Sequence, residues 1–285
     1  MASDIVITSD STTDLSPELR ERYNISVAPL GITLGDKVYT DGVDITPDDI
    51  YAHHAKTGEL PKTTATNVGD CLDFFKKFTD EGKTVIHFTI SSDMSSTYNN
   101  ACIAASELEN VYVIDTKNLS TGGGLLVVAA AEMLRDGLSA EEIVRKSTEL
   151  IPCVDASFVI DSLEYLYKGG RCSALAMLGA NLLKLKPCIQ VKNGKMDVSK
   201  KYRGKFEDVL KQYITEKADD YSDIVLDRVF ITHAGCDPEV AKNAAELAKK
   251  LAPFKEVFIT RAGCTVSSHC GANTLGILFI RKSPI

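Results

Sequence analysis

Apolar and polar positions alternate in blocks along this 285-residue chain, and the blocks change character near its middle. The first half reads strand, helix, strand, helix. Asp4 to Thr8 is a short strand, followed by the hydroxyl-rich stretch Ser9-Asp10-Ser11-Thr12-Thr13-Asp14-Leu15. Ser16-Pro17-Glu18 has the form of a helix start, where proline has no needed N–H to lose. Ile25 to Ile32 reads as a second strand. Thr46-Pro47-Asp48-Asp49 opens a helix with acidic residues at its positive end. Val68 to Phe78 is helical. Val85 to Ile90 and Val111 to Ile114 are strands, leading into helices over Asn99 to Leu108 and Leu125 to Leu134. Such alternation predicts an α/β fold: a mostly parallel sheet flanked by helices, with ligands at the carboxyl ends of its strands.

The second half has a different texture. Ala156 to Ile160 is a strand, Tyr165 to Arg171 a turn-rich link, and Ala174 to Leu185 an apolar helix. Pro187 to Val191 and Lys195 to Val198 flank Asn193-Gly194, a strong hairpin signal. Helices over Val209 to Lys217 and Pro238 to Leu251 alternate with strands over Arg228 to Thr232, Glu256 to Arg261 and Thr274 to Arg281. This predicts a C-terminal α+β domain. The boundary falls near Ile151-Pro152, giving domains 1–152 and 153–285.

Composition narrows the function. A net charge of −7 disfavours nucleic acid as a partner. No stretch approaches the roughly 18 to 20 apolar residues of a membrane span, so integral membrane association is not expected. Met1-Ala2-Ser3-Asp4 lacks the basic start of a signal peptide, which points to the cytoplasm. The eight cysteines include no C-x-x-C pair, so reduced, mostly buried thiols are expected. Cys264 with His269-Cys270 lacks the second ligand pair a zinc site needs.

Candidate chemistry is concentrated in hydroxyl-rich loops. Ser91-Ser92-Asp93-Met94-Ser95-Ser96-Thr97-Tyr98 follows a strand and precedes a helix, where unpaired N–H groups and the helix dipole favour an anion. Thr63-Thr64 lies in a loop before the helix at Val68, and His269 in a loop between two late strands. Taken singly, each hydroxyl could equally be a helix cap. No Walker loop is present, and Gly122-Gly123-Gly124 lies too far beyond Ile114 for a dinucleotide fingerprint. A hydrolase built on Ser95 and His269 is the alternative reading, without the G-x-S-x-G elbow.

Several segments stand out together: Thr8 to Leu15, Pro61-Lys62-Thr63-Thr64, Ser91 to Tyr98, Ile114-Asp115-Thr116-Lys117 with Ser120, Tyr165-Leu166-Tyr167-Lys168-Gly169-Gly170-Arg171, and His269-Cys270-Gly271. Their order and spacing resemble the DegV family, the fatty-acid-binding subunits of bacterial fatty acid kinase. The resemblance covers essentially the whole chain. It implies a non-catalytic, two-domain protein holding a long-chain fatty acid between its domains. Thr63, Ser95 and His269 would hold the carboxylate, with Ser92, Ser96 and Thr64 as possible additional donors. No cofactor is implied beyond the bound fatty acid. A separate kinase subunit would supply the ATP site and make acyl-phosphate. Ser96 stands where the family has glycine. The tail is expected along Ala174 to Gly179 and Leu125 to Leu134. A basic cluster of Lys195, Lys200, Lys201, Arg203 and Lys205 is either a solvated hairpin face or, with Arg171, a docking surface for the kinase subunit.

Overall fold

The computed structural model describes residues 4–172 and 185–285. Its strands are β1 (Ile5–Asp10), β2 (Ser26–Ala28), β3 (Gly31–Leu34), β4 (Lys37–Thr40), β5 (Lys62–Thr64), β6 (Thr84–Thr89) and β7 (Val111–Asp115) in the first half. They continue with β8 (Val154–Ile160), β9 (Lys186–Lys192), β10 (Lys195–Tyr202), β11 (Arg228–Ala234), β12 (Glu256–Arg261) and β13 (Thr274–Ile280). The helices are α1 (Pro17–Tyr23), α2 (Pro47–Thr57), α3 (Val68–Thr79), α4 (Thr97–Ser106), α5 (Thr121–Arg135) and α6 (Ala140–Leu150), then α7 (Glu164–Gly169), α8 (Phe206–Ala218), α9 (Pro238–Leu251) and α10 (Cys264–Cys270). Among the described residues, no helix is long and apolar enough to cross a membrane.

Three sheets organise these elements. The first is wholly parallel, in the order β2-β1-β6-β7, with α3 and α4 on one face and α5 and α6 on the other. The second is mixed, in the order β10-β9-β8-β13-β11-β12, and α8 and α9 cover one of its faces. The third is a small antiparallel sheet, β4-β3-β5. The α/β fold with a parallel sheet and a second, mixed sheet agrees with the sequence reading.

Local chemistry explains many boundaries. Ser16 caps α1 by accepting from the Leu19 N–H, with Pro17 following. Thr46 and Asp49 form a reciprocal capping box at α2. Asn193 and Gly194 have φ of 50° and 83°, the left-handed pair that a two-residue hairpin needs.

Three expectations are corrected. The single strand over Ile25 to Ile32 is two short strands in different sheets. Pro29 lies between them; it has no N–H for a ladder. The link over Tyr165 to Arg171 contains the short helix α7. The loop around His269 is helix α10. The expected apolar helix over Ala174 to Leu185 lies outside the described residues, apart from Leu185.

Helix α5 joins the architecture. It packs on β1 and β6 of the parallel sheet and on β8 and β13 of the mixed sheet. One apolar cluster runs through it, from Ile7 and Phe88 to Phe158 and Leu278. Its glycines permit this approach. A Cβ on Gly124 would come within 2.9 Å of both the Thr13 carbonyl oxygen and Leu15 Cδ2. Gly124→Ala should therefore destabilise the protein by about 1–3 kcal/mol, despite alanine's better helix propensity. A urea midpoint at or above the parent's would contradict that packing.

Candidate functional site

The loop after β6 is held before any ligand arrives. The Ser91 N–H donates to the Asn118 carbonyl, Met94 and Ser95 N–H both donate to the Ser91 carbonyl, and Asp93 N–H donates to Ser91 Oγ. Ser92 N–H donates to Asp115 Oδ1 at 3.2 Å. The expected cradle of bare amides is thus corrected for residues 91–95: those N–H groups are already used. What the loop offers is side-chain hydroxyls.

Ser95 Oγ accepts from the Thr97 N–H at 3.2 Å and lies 2.9 Å from Thr97 Oγ1. With Thr97 donating both times, the Ser95 hydroxyl proton is free to point elsewhere. Ser92 Oγ accepts from Lys117 Nζ at 2.8 Å, which frees its proton too. Lys117 is itself balanced by Asp93 and Asp115, at 3.2 and 3.0 Å.

Thr63 lies on β5, and its Oγ1 is 2.9 Å from His269 Nε2 on α10. These residues are 206 apart in sequence. The other ring nitrogen, Nδ1, has no hydrogen-bond partner among the described residues. It abuts Gly169, where an added Cβ would approach to 2.6 Å. Burial, aided by the positive Arg171, pulls the His269 pKa down to about 4, so the imidazole is neutral at pH 7. In the tautomer with hydrogen on Nε2, the imidazole donates to Thr63 and the threonine proton is free.

These groups share one cavity of about 670 Å³. Thr63, Thr64, Ser92, Ser95, Ser96, Arg171 and His269 all line it. Its apolar wall includes Leu30, Ile90, Met94, Leu119, Leu166, Met196 and Val266. Both halves of the chain contribute, so the cavity lies between the parallel sheet's loops and the elements around α10. Its size and mixed lining suit a small amphiphile, since ligand pockets run roughly 300–1,000 Å³.

Other expectations fare differently. No residue from Leu125 to Leu134 lines the cavity; that stripe is core between the two sheets, and the expected tail path along it is corrected. The stretch Ala174 to Gly179 lies outside the described residues. Arg203 is exposed just past β10 and does not line the cavity, whereas Arg171 does. Two lysines of the basic cluster have acidic neighbours on this chain: Lys195 lies 3.7 Å from Asp93, and Lys200 lies 2.7 Å from Glu216. Seven of the eight free cysteines are buried, and Cys102 is half-buried.

Sequence reasoning missed the supports. Thr97 holds Ser95, Lys117 holds Ser92, and Asn100 Nδ2 donates to the Thr66 carbonyl at 2.8 Å, tying α4 to the chain after β5. Asp14 and Asp41 grip the start of α10: Asp14 Oδ1 accepts from the Gly263 N–H, and Asp41 Oδ1 from the Cys264 N–H, each at 2.8 Å. Thr8 to Leu15 was legible as a motif, but its contact with residue 263 was not.

Known proteins resemble this chain in sequence and in fold over nearly its whole length. A family model described as "Uncharacterised protein, DegV family" matches residues 4–282. A DegV domain-containing protein of Caldanaerobacter subterraneus subsp. tengcongensis is 32% identical over 287 residues, covering 98% of this chain and 99% of that one. Another, of Clostridium acetobutylicum, is 34% identical over 283 residues, with 98% and 99% covered. A fatty-acid-binding DegV family protein from Thermus thermophilus superposes with a TM-score of 0.87 at 28% identity, covering 97% of this chain and 99% of that one. A stearic acid-binding protein from Eubacterium ventriosum gives 0.85 at 29%, covering 97% and 98%. From residue 4 to residue 282, in sequence and in fold, the chain belongs to the DegV family.

Proposed function

We propose that this protein binds a long-chain fatty acid in the 670 Å³ cavity, with its carboxylate against Thr63, Ser95 and His269. The observation that carries this reading is that Thr63, Ser95 and His269 line one cavity together with the apolar side chains of Leu30, Met94, Leu119, Leu166 and Val266. Each methylene removed from water favours binding by about 0.8 kcal/mol. A carboxylate opposes burial unless it is hydrogen-bonded, and neutral donors supply those bonds without burying a second charge. Ser92, Ser96 and Thr64 offer further donors at the rim. The fatty acids named for the Thermus and Eubacterium ventriosum proteins support the same ligand class here.

We further propose that the chain is two domains, 1–152 and 153–285, and that it presents the head group to a separate kinase subunit for acyl-phosphate formation. Arg171, which lines the cavity, and the exposed Arg203 are the proposed docking residues. The Ser-His hydrolase alternative loses ground. Ser95 is bonded to Thr97 and His269 to Thr63, and a histidine titrating near 4 is a weak base at pH 7.

Organic extraction of the purified protein, followed by mass spectrometry, tests the reading. A long-chain fatty acid released in near-stoichiometric amount is expected, with no cleavage of p-nitrophenyl esters. Ester turnover abolished by Ser95→Ala, with no lipid released, would replace the carrier with a hydrolase.

A further inference from the structure

Two buried aspartates from the first half, Asp14 and Asp41, meet the start of α10. All the hydrogen-bond donors to Asp41 are neutral. Its Oδ1 accepts from the Cys264 N–H at 2.8 Å. Its Oδ2 accepts from the Thr265 hydroxyl at 2.6 Å, the Thr265 N–H at 3.2 Å and the Ser11 hydroxyl at 2.9 Å. Asp14 accepts from the Gly263 N–H and the Ser120 hydroxyl. Gly263 leaves room for both: a Cβ there would stand 3.2 Å from Asp14 Oδ1 and 3.4 Å from Asp41 Oδ1. Buried aspartates without a cationic partner, whether ionised or held protonated, are a costly way to attach a helix. Their return is in placement.

The geometry shows what is placed. Asp41 immediately follows β4, and its own N–H donates to the Leu30 carbonyl at 2.9 Å. In the same small sheet, Gly31 pairs with Thr40 on one side and Thr64 on the other. Thr63 is therefore two strands away from Asp41, roughly 10 Å across the ladder. Helix α10 runs alongside much of that gap. From Cys264 and Thr265 to His269 is about 7.5 and 6 Å along the helix axis. The small sheet thus touches α10 twice, through Asp41 at its start and through Thr63 at His269. Thr265, Val266, His269 and Cys270 of this helix all line the cavity.

We propose that Asp41, with Asp14 beside it, is a positioning residue for the head-group clamp. By gripping the N-terminus of α10 it fixes where His269 meets Thr63. The consequence for ligand affinity rests on the fatty-acid reading above; the placement of the ring does not. Asparagine at position 41 keeps the shape but turns one acceptor into a donor that faces the Thr265 N–H and hydroxyl. The helix start must then shift or rotate, and the imidazole moves with it.

The test uses the full-length, delipidated protein labelled with 15N-histidine, with the His269 ring signals assigned through His269→Gln. Asp41→Asn should shift those signals and change the tautomer balance, and should weaken binding of cis-parinaric acid about tenfold. Gly263→Ala, which crowds both carboxylates from the helix side, should move the same signals and serves if Asp41→Asn does not fold. Ile143→Val, a core change on α6, controls for lost stability and should leave the ring signals in place. Unchanged His269 signals in Gly263→Ala, or in a folded Asp41→Asn, would overturn the positioning role. If the parent protein binds no parinaric acid while both variants still move the ring, the fatty-acid reading fails and the positioning role stands.

Discussion

Protein purified with alanine at both Ser95 and His269 should carry almost no fatty acid. Each side chain is proposed to meet the same buried carboxylate, and losing one buried partner costs about 1–3 kcal/mol. That is roughly 5- to 150-fold in affinity for either single change. The two effects will not simply add, because the groups share one ligand. Ser95→Ala carries a second cost, since Ser95 Oγ also accepts the Thr97 N–H at the start of α4. Loss of that bond weakens the helix start by about 1 kcal/mol. His269→Ala has no such capping role, but it also takes away the bond that orients the Thr63 hydroxyl. The readout is moles of lipid per mole of protein after extraction, with urea midpoints alongside. Full lipid retention in both single variants would remove the clamp assignment.

Raising the pH from 6.5 to 8 should cost the parent protein about 2 kcal/mol more stability than it costs Asp14→Asn. Burial is the main force on Asp14, with the charges of Asp41 and Asp10 adding to it, and hydrogen bonds from Ser120 and Gly263 only partly oppose it. The result is a carboxyl pushed up to about 8, from an ordinary value of 3.8. The folded protein therefore holds a proton that the unfolded chain has released. The Asp14 contribution falls as pH rises between these two values and levels off above about 8. Asp10, raised to about 6, acts in the same direction but finishes lower. The histidines act oppositely. His269 near 4, His87 near 3 and the lowered His233 bind protons only on unfolding, so their contribution rises with pH and is complete about one unit above the unfolded value of 6.5. They act alike in parent and variant, so the difference between the two isolates Asp14. Urea denaturation at pH 6.5 and 8.5 checks this, and parallel pH profiles for parent and variant would contradict it.

Sequence exposed what local chemistry dictates. The helix starts at Ser16-Pro17 and Thr46-Pro47 and the Asn193-Gly194 turn were all readable because their causes lie within a few residues. Helix α10 was not. Cys264-Thr265-Val266-Ser267-Ser268-His269-Cys270 has little helical periodicity of apolar residues. Its start is held by Asp14 and Asp41, more than 220 positions earlier. The split at Pro29 was legible in principle: a proline in mid-strand argues against one continuous ladder. For the site, family resemblance supplied Thr63, Ser95 and His269 as a set, while residue chemistry alone left each as a plausible cap. Their meeting depends on β5, α4 and α10 converging, which no local pattern encodes. The amides of residues 91–95 show the reverse. A strand–loop–helix pattern promised free donors, and Ser91 within the loop, with Asp115 and Asn118 of the neighbouring strand and its following loop, had taken them.

The most direct measurement is a crystal structure of the protein with stearate bound. The carboxylate oxygens should lie within hydrogen-bond distance of Thr63 Oγ1 and Ser95 Oγ, and next to the His269 imidazole. The chain should run against Leu30, Met94, Leu119 and Val266. Stearate with its head group away from these three residues, or bound anywhere outside the cavity, would contradict the proposed clamp.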